Sequence, residues 1–149
     1  MKRFNFPLER VRRWRSEQAN VEELKLEQLR NRVAKLGDEM RELAVERARS
    51  QQEVLAQPLI DSFELESLDA FRLHAAAKIR DLENQQRQCE GQVVEQRGRY
   101  VEARRSLELL ERLKHRAFEK WQIESDREQE ALAAESYLAR MVREGQVKR

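Results

Sequence analysis

With 149 residues, of which 39% are charged and 40% hydrophobic, and with only 4 Gly and 2 Pro, the chain has apolar residues enough for a helical seam but not for a two-layer core. Thirty basic against 28 acidic residues leave a net charge of +2, so no overall polyelectrolyte signal marks it for nucleic acid. One cysteine excludes an intramolecular disulfide, MKRFNFPLERVRRW lacks the apolar stretch of a secretory signal, and no apolar run approaches the ~20 residues of a spanning helix.

The first 16 residues carry Lys2, Arg3, Arg10, Arg12, Arg13 and Arg15 against one acid, Glu9. Phe4, Phe6, Leu8, Val11 and Trp14 are interleaved with them, and Leu8, Val11 and Trp14 step by three as on a helix face. Pro7 suits the first turn of a helix, where a missing N–H matters least, and Asn5 is a candidate N-cap. The pattern predicts a first helix over about 7–56, with apolar positions Leu8, Val11, Trp14, Val21, Leu24, Leu29, Val33, Leu36, Met40, Leu43 and Val54. Stepping by four and three is regular from Leu29 to Leu43. Between Val21 and Leu29 the phase slips, which predicts a stutter. Gly37 lies inside the regular part, at a cost of about 1 kcal/mol relative to Ala.

Pro58 disfavours helix at the residue before it, so a turn is expected over about 57–63. Asp61 with Glu64 reads as a capping box, Ser62 being an alternative cap. A second helix follows over about 64–144, where Gly145 can end it. Its seam reads Leu68, Ala75, Ile79, Leu82, Gln86, Cys89, Val93, Gln96, Tyr100, Ala103, Leu107, Leu110, Lys114, Ala117, Trp121, the a/d spacing of a coiled coil. The expected fold is all-α, a single domain over 1–149 made of two long helices in an antiparallel coiled-coil hairpin. With the turn near 60, residue i faces roughly 121 − i, which sets Met40 near Leu82 and Leu8 near Leu113. The second helix outlasts the first, leaving about 116–145 without a partner, and with it Phe118, Trp121, Tyr137, Leu138, Met141 and Val142.

No catalytic constellation is visible. His74 and His115 are far apart, Cys89 stands on the seam as a small core residue, and the many carboxylates fall on solvated faces. Neither enzyme activity, a cofactor nor a metal is expected. Arg112, Lys114 and Arg116 would join the basic N-terminus, but Glu119, Glu124, Asp126, Glu128, Glu130 and Glu135 follow directly. An interrupted basic patch is a poor phosphate track, so a charged protein partner fits better than nucleic acid. A basic amphipathic stretch at 3–15 could lie on a membrane surface, yet it continues in phase as a coiled-coil partner.

RFNFPLERVRRWRSEQA at the N-terminus resembles the aromatic-x-aromatic-x-Leu opening and arginine-rich first turns of the flagellar export protein family FliJ. YVEARRSLELLERLKHRAFEKWQIESDREQEALAAE resembles that family's C-terminal signature, an Ala-Arg-x-x-Leu-x-x-Leu-Glu-x-Leu-Lys core followed by an aromatic residue and a Glu-rich tail. Length, two-helix layout and a break near residue 60 agree over essentially the whole chain, while 17–100 contributes only periodicity. Trp14 and Trp121 depart from the family pattern.

The resemblance implies a hairpin similar to the gamma-subunit stalk of rotary ATP synthases. It implies a cytoplasmic protein, peripherally associated with the inner membrane through the type III export apparatus. There it would bind the hexameric export ATPase, contact the membrane export gate and escort export chaperones, with no membrane insertion and as an elongated monomer when free. Phe4, Phe6, Arg10, Arg13, Arg112, Phe118 and Trp121 are the expected ATPase contacts; Met40, Leu43, Leu68, Phe71 and Ala75 are the expected export-gate contacts. An injectisome stalk homologue and a structural homo-oligomeric coiled-coil scaffold are the alternative readings.

Overall fold

The computed structural model describes residues 2–148 and contains two helices, α1 (Glu9–Leu55) and α2 (Ser62–Val147), packed against each other. Among the described residues there is no strand. The helix boundaries follow local chemistry. The Glu9 N–H donates to the Phe6 carbonyl at 3.1 Å and the Arg12 N–H to the Leu8 carbonyl at 2.9 Å. The Phe6 carbonyl thus closes a turn just ahead of the helix, Leu8 accepts the first i→i+4 bond, and Pro7 stands in that turn, where its missing N–H forfeits nothing. Asn5, expected as the cap, lies three residues before Leu8, which holds the cap position.

At the other end of α1, residues 56–61 form the turn around Pro58. The Asp61 carbonyl accepts the Leu65 N–H at 3.2 Å, which places Asp61 at the cap of α2. The capping box is not closed, because the Glu64 Oε2 is enclosed without a hydrogen-bond partner. α2 runs straight through Gly145 to Val147, and no glycine takes a positive φ, so the expected glycine stop does not operate.

Contacts group the chain into two compact units, Ala19–Glu102 and Met1–Gln18 with Ala103–Arg149. In the first, α1 and α2 run antiparallel around the turn. Leu36, Leu82 and Cys89 form a buried cluster against which Val33, Met40 and Leu43 pack. Met40 thus packs on the cluster that contains Leu82, the neighbourhood expected for it. Cys89 is a small core residue, and burying each large aliphatic chain in this seam is worth about 1.5–3 kcal/mol.

Two amides interrupt the apolar seam of this unit. Gln86 Nε2 donates to the Val33 carbonyl at 3.4 Å, and Gln96 Nε2 donates to the Glu22 carbonyl at 3.1 Å and to the Glu22 carboxylate. These pairs sum to 119 and 118, close to the register read from the sequence. A Cβ added at Gly37 would meet Gln86 Nε2 at 3.4 Å, so the glycine leaves room for that amide.

The expected stutter is absent. Ala19 and Leu26 are buried and Glu22 and Leu29 are partly buried, which continues the four-three stepping unbroken into Val33 and Leu36. Val21 and Leu24, expected on the seam, are exposed. The physical reason is that Gln96 occupies the facing position and calls for a polar partner, so the seam passes through Glu22 rather than its apolar neighbour.

Candidate partner-binding surface

In the unit formed by Met1–Gln18 and Ala103–Arg149 the helices meet differently. Residues 2–6 have no regular secondary structure and lie along α2. The Phe4 ring stands edge-on to Phe118, with centroids 5.2 Å apart, and lies 5.8 Å from Trp121. Phe118 and Trp121 are themselves 5.6 Å apart. The indole Nε1–H of Trp121 donates to the Lys2 carbonyl at 3.0 Å. Phe6 is 7% exposed. Each aromatic pair of this kind is worth about 0.5–1.5 kcal/mol beyond its buried area, so the two pairs that Phe4 makes hold a segment that has no helix of its own.

One turn further, Glu9 takes over. It accepts from Arg12 Nε at 3.1 Å and Nη2 at 2.7 Å, and from Lys114 Nζ at 3.0 Å, with Arg13 Nε at 3.6 Å. The hydrogen bonds from Arg12 and then from Lys114 hold the Glu9 carboxyl down to about 2, well below its ordinary 4.5. Reciprocally, Glu9 raises the pKa of Arg12. Lys114 occupies a seam position of α2, and its ammonium is matched across the helix pair by the sole acid of the first 16 residues.

The other charges face outward. Arg10, Arg13 and Arg112 are exposed. Phe4 and Phe118, with Arg12, Glu111, Lys114 and His115, line an open groove of ≈ 540 Å³. Arg112 and Arg116 line a second with Glu108, Glu111, His115 and Glu119, in which His115 Nε2 lies 3.1 Å from Glu119 Oε1. The structure therefore brings Phe4, Phe118 and Trp121 together, encloses Phe6, and leaves the three arginines on the surface.

Glu9, Arg12 and Lys114 were noted in the sequence as a lone acid, a member of a basic stretch and a seam position, but not among the expected contact residues. A base on a hydrophobic seam with one acid at the complementary register position was the signal that could have found them.

Two expectations change here. Leu8, Val11 and Trp14 were expected on the seam of α1 but are exposed, because Arg12, Ser16 and Ala19 take the partly or fully buried positions instead. Leu113, expected opposite Leu8, is also exposed, and Glu9 meets Lys114 in their place. The unpartnered part of α2 is shorter than 116–145, since the N-terminal segment covers Phe118 and Trp121 and Ser125 is buried. From Asp126 to Lys148 every residue is exposed.

Of the residues expected to contact an export gate, Met40 and Leu43 pack on the buried cluster and Ala75 is fully enclosed. Leu68 and Phe71 are partly buried and line a groove with Val54, Phe63 and Glu64. The exposed large apolar side chains around the turn are Leu55, Leu59, Ile60, Phe63 and Leu65. Among the described residues no group of His, Cys, Asp or Glu is arranged to hold a metal ion, and no helix is long and apolar enough to cross a membrane. The chain matches no family model, no curated protein and no solved structure.

Proposed function

We propose that this chain is a non-enzymatic component of the flagellar type III export apparatus, a FliJ-like stalk that engages the hexameric export ATPase through the end where its two termini pair. The observation that carries the reading is the division of labour among the charges at that end. Glu9 neutralises Arg12 and Lys114 within the helix pair, whereas Arg10 and Arg112 stand exposed around an aromatic anchor, together with Arg13, whose largely exposed side chain reaches Glu9 only at 3.6 Å. Guanidinium groups held on a rigid helical scaffold suit the acidic loops of a ring pore, since little side-chain order is lost on pairing.

The shared apolar seam supports a hairpin over a parallel homo-oligomeric scaffold: Leu36, Leu82 and Cys89 are already covered by the chain itself. Contact with the export gate and escort of export chaperones belong to the same proposal. Leu68 and Phe71 beside the exposed Phe63 are the gate-side surface it favours.

A pull-down with the cognate export ATPase tests the reading. The wild-type chain should bind, and reversing both Arg10 and Arg13 to Glu should weaken binding by at least ~100-fold, as loss of two charge-assisted contacts implies. Unchanged binding by the double variant would remove the assigned surface, and a wild-type chain that fails to bind would remove the function.

A further inference from the structure

Two apolar faces in the unit formed by Met1–Gln18 and Ala103–Arg149 are left uncovered, and they have opposite borders. On α1, Leu8, Val11 and Trp14 step by three and are all exposed. At 100° per residue, Arg10 and Arg13 border this line on one side, and Glu9, Arg12 and Arg15 on the other, where Glu9 is already paired with Arg12 and Lys114. The Arg15 guanidinium carbon sits 4.9 Å from the Trp14 ring centroid, and the indole is still 51% exposed. On α2, Ala131, Ala134, Leu138 and Met141 follow the four-three spacing along a stretch in which every residue is exposed. There the borders are acidic: Glu128 and Glu135 on one side, Glu130 and Glu144 on the other. Arg127 and Lys148 stand at the two ends of this line, and Arg140 and Arg143 lie on the back of the helix.

The unpaired charges around the first face are thus guanidinium groups and those around the second are carboxylates, the apolar line on α2 being the longer of the two. α2 is unbroken through Val147, so its last turns cannot fold back onto α1 of the same chain. We propose that two copies exchange these faces about a two-fold axis, the 126–148 segment of each copy lying on the Leu8–Val11–Trp14 face of the other. The two-fold axis makes the contact twice, as in the isologous interfaces of two-fold dimers, so each copy contributes both a short α1 face and a 126–148 segment. Trp14 is the anchor of each contact, since a large half-exposed indole among arginines is the side chain type that dominates such interfaces. The single-copy chain expected from the sequence is then the dissociated species. In the two-copy form the face bearing Arg10 and Arg13 is covered, so the protein shields its own basic surface until a competing acidic partner displaces the segment. The exchange does not depend on which partner that is, and its test contains this chain alone.

Light scattering on the full chain at micromolar concentration and low salt should give a two-copy mass, with association weakened at least ~10-fold at high salt. Trp14→Glu and Leu138→Glu should each give a one-copy mass while keeping the helical circular dichroism of the wild type, because both side chains are exposed. An equimolar mixture of the two variants should regain association, weaker than wild type. In that mixture the intact 126–148 segment of the Trp14→Glu chain meets the intact α1 face of the Leu138→Glu chain. A one-copy wild type, a mixture that stays one-copy, or dissociation by Leu138→Glu but not by Trp14→Glu would overturn the exchange; the last would mean that the two 126–148 segments pair with each other.

Discussion

The two units hold their helices together by different chemistry. In Ala19–Glu102 the seam is aliphatic, punctuated by two amides that donate to backbone carbonyls of the facing helix. In the unit that pairs the termini the buried Leu107 continues that seam, and the contact then passes to a carboxylate clamped between Arg12 and Lys114 and to an aromatic triad. An aliphatic seam is non-directional, and its strength comes from excluding water. An aromatic and ionic contact is directional. It fixes the N-terminal segment in one place while leaving polar and basic groups at the surface. The comparison teaches where this chain is built to persist and where it is built to present.

Cutting into the aliphatic seam should have the largest effect. Leu82→Ala removes a side chain that is 5% exposed in the Leu36–Leu82–Cys89 cluster, and chemical denaturation should report a loss of about 2–5 kcal/mol. Leu132→Ala, at 63% exposure on the same helix, should stay within about 0.5 kcal/mol of wild type. Equal effects from the two would erase the distinction between seam and surface.

Next in size is the aromatic contact. Phe4→Ala removes two of the three ring pairs, and the terminal segment should loosen by about 1–3 kcal/mol. In a Trp14→Phe background the emission of Trp121 should shift to the red, while denaturation of the Ala19–Glu102 unit keeps its midpoint. A shift in that midpoint of the size caused by Leu82→Ala would contradict the separation of the two contacts.

Smaller effects are expected at the glycines of α2. A Cβ at Gly91 or Gly98 would meet nothing within 4 Å, so Gly→Ala at either should stabilise by about 0.5–1 kcal/mol. Gly37→Ala should gain less than either, because its Cβ would press on the Gln86 amide at 3.4 Å.

The pH response is the subtlest contrast. The folded value of Glu9 is depressed, so its contribution is complete above the ordinary 4.5 and is lost as pH falls toward about 2. Glu9→Gln should remove that dependence, read as the difference between wild type and variant in Trp121 emission across this range. Identical titrations of the two proteins would show that the clamp does not act on the terminal segment.

The seam of α2 was legible in the sequence from Leu68 to Trp121, every position of it buried or partly buried. It was legible because its apolar residues recur at four-three spacing over many turns, whereas the off-seam Leu73, Val94, Val101 and Leu109 do not keep that phase. The N-terminal half of α1 was not. There Leu8, Val11 and Trp14 are more apolar than Arg12, Ser16 and Ala19, yet the latter face inward. Hydrophobicity alone misphased this stretch, because the facing helix offers Lys114 and Gln96 and the inward positions answer with Glu9 and Glu22. The aromatic members of the site were readable from their position at the chain's paired ends. The carboxylate clamp was not, since a seam lysine looks like an error until its acid is placed across from it.

Site-resolved hydrogen exchange of the chain with and without the export ATPase addresses the central claim most directly. The account predicts that binding slows exchange at residues 2–18 and 103–125, the end that presents Arg10, Arg13 and Arg112, with residues 50–75 unchanged. Protection confined to residues 50–75, or none anywhere, would contradict it.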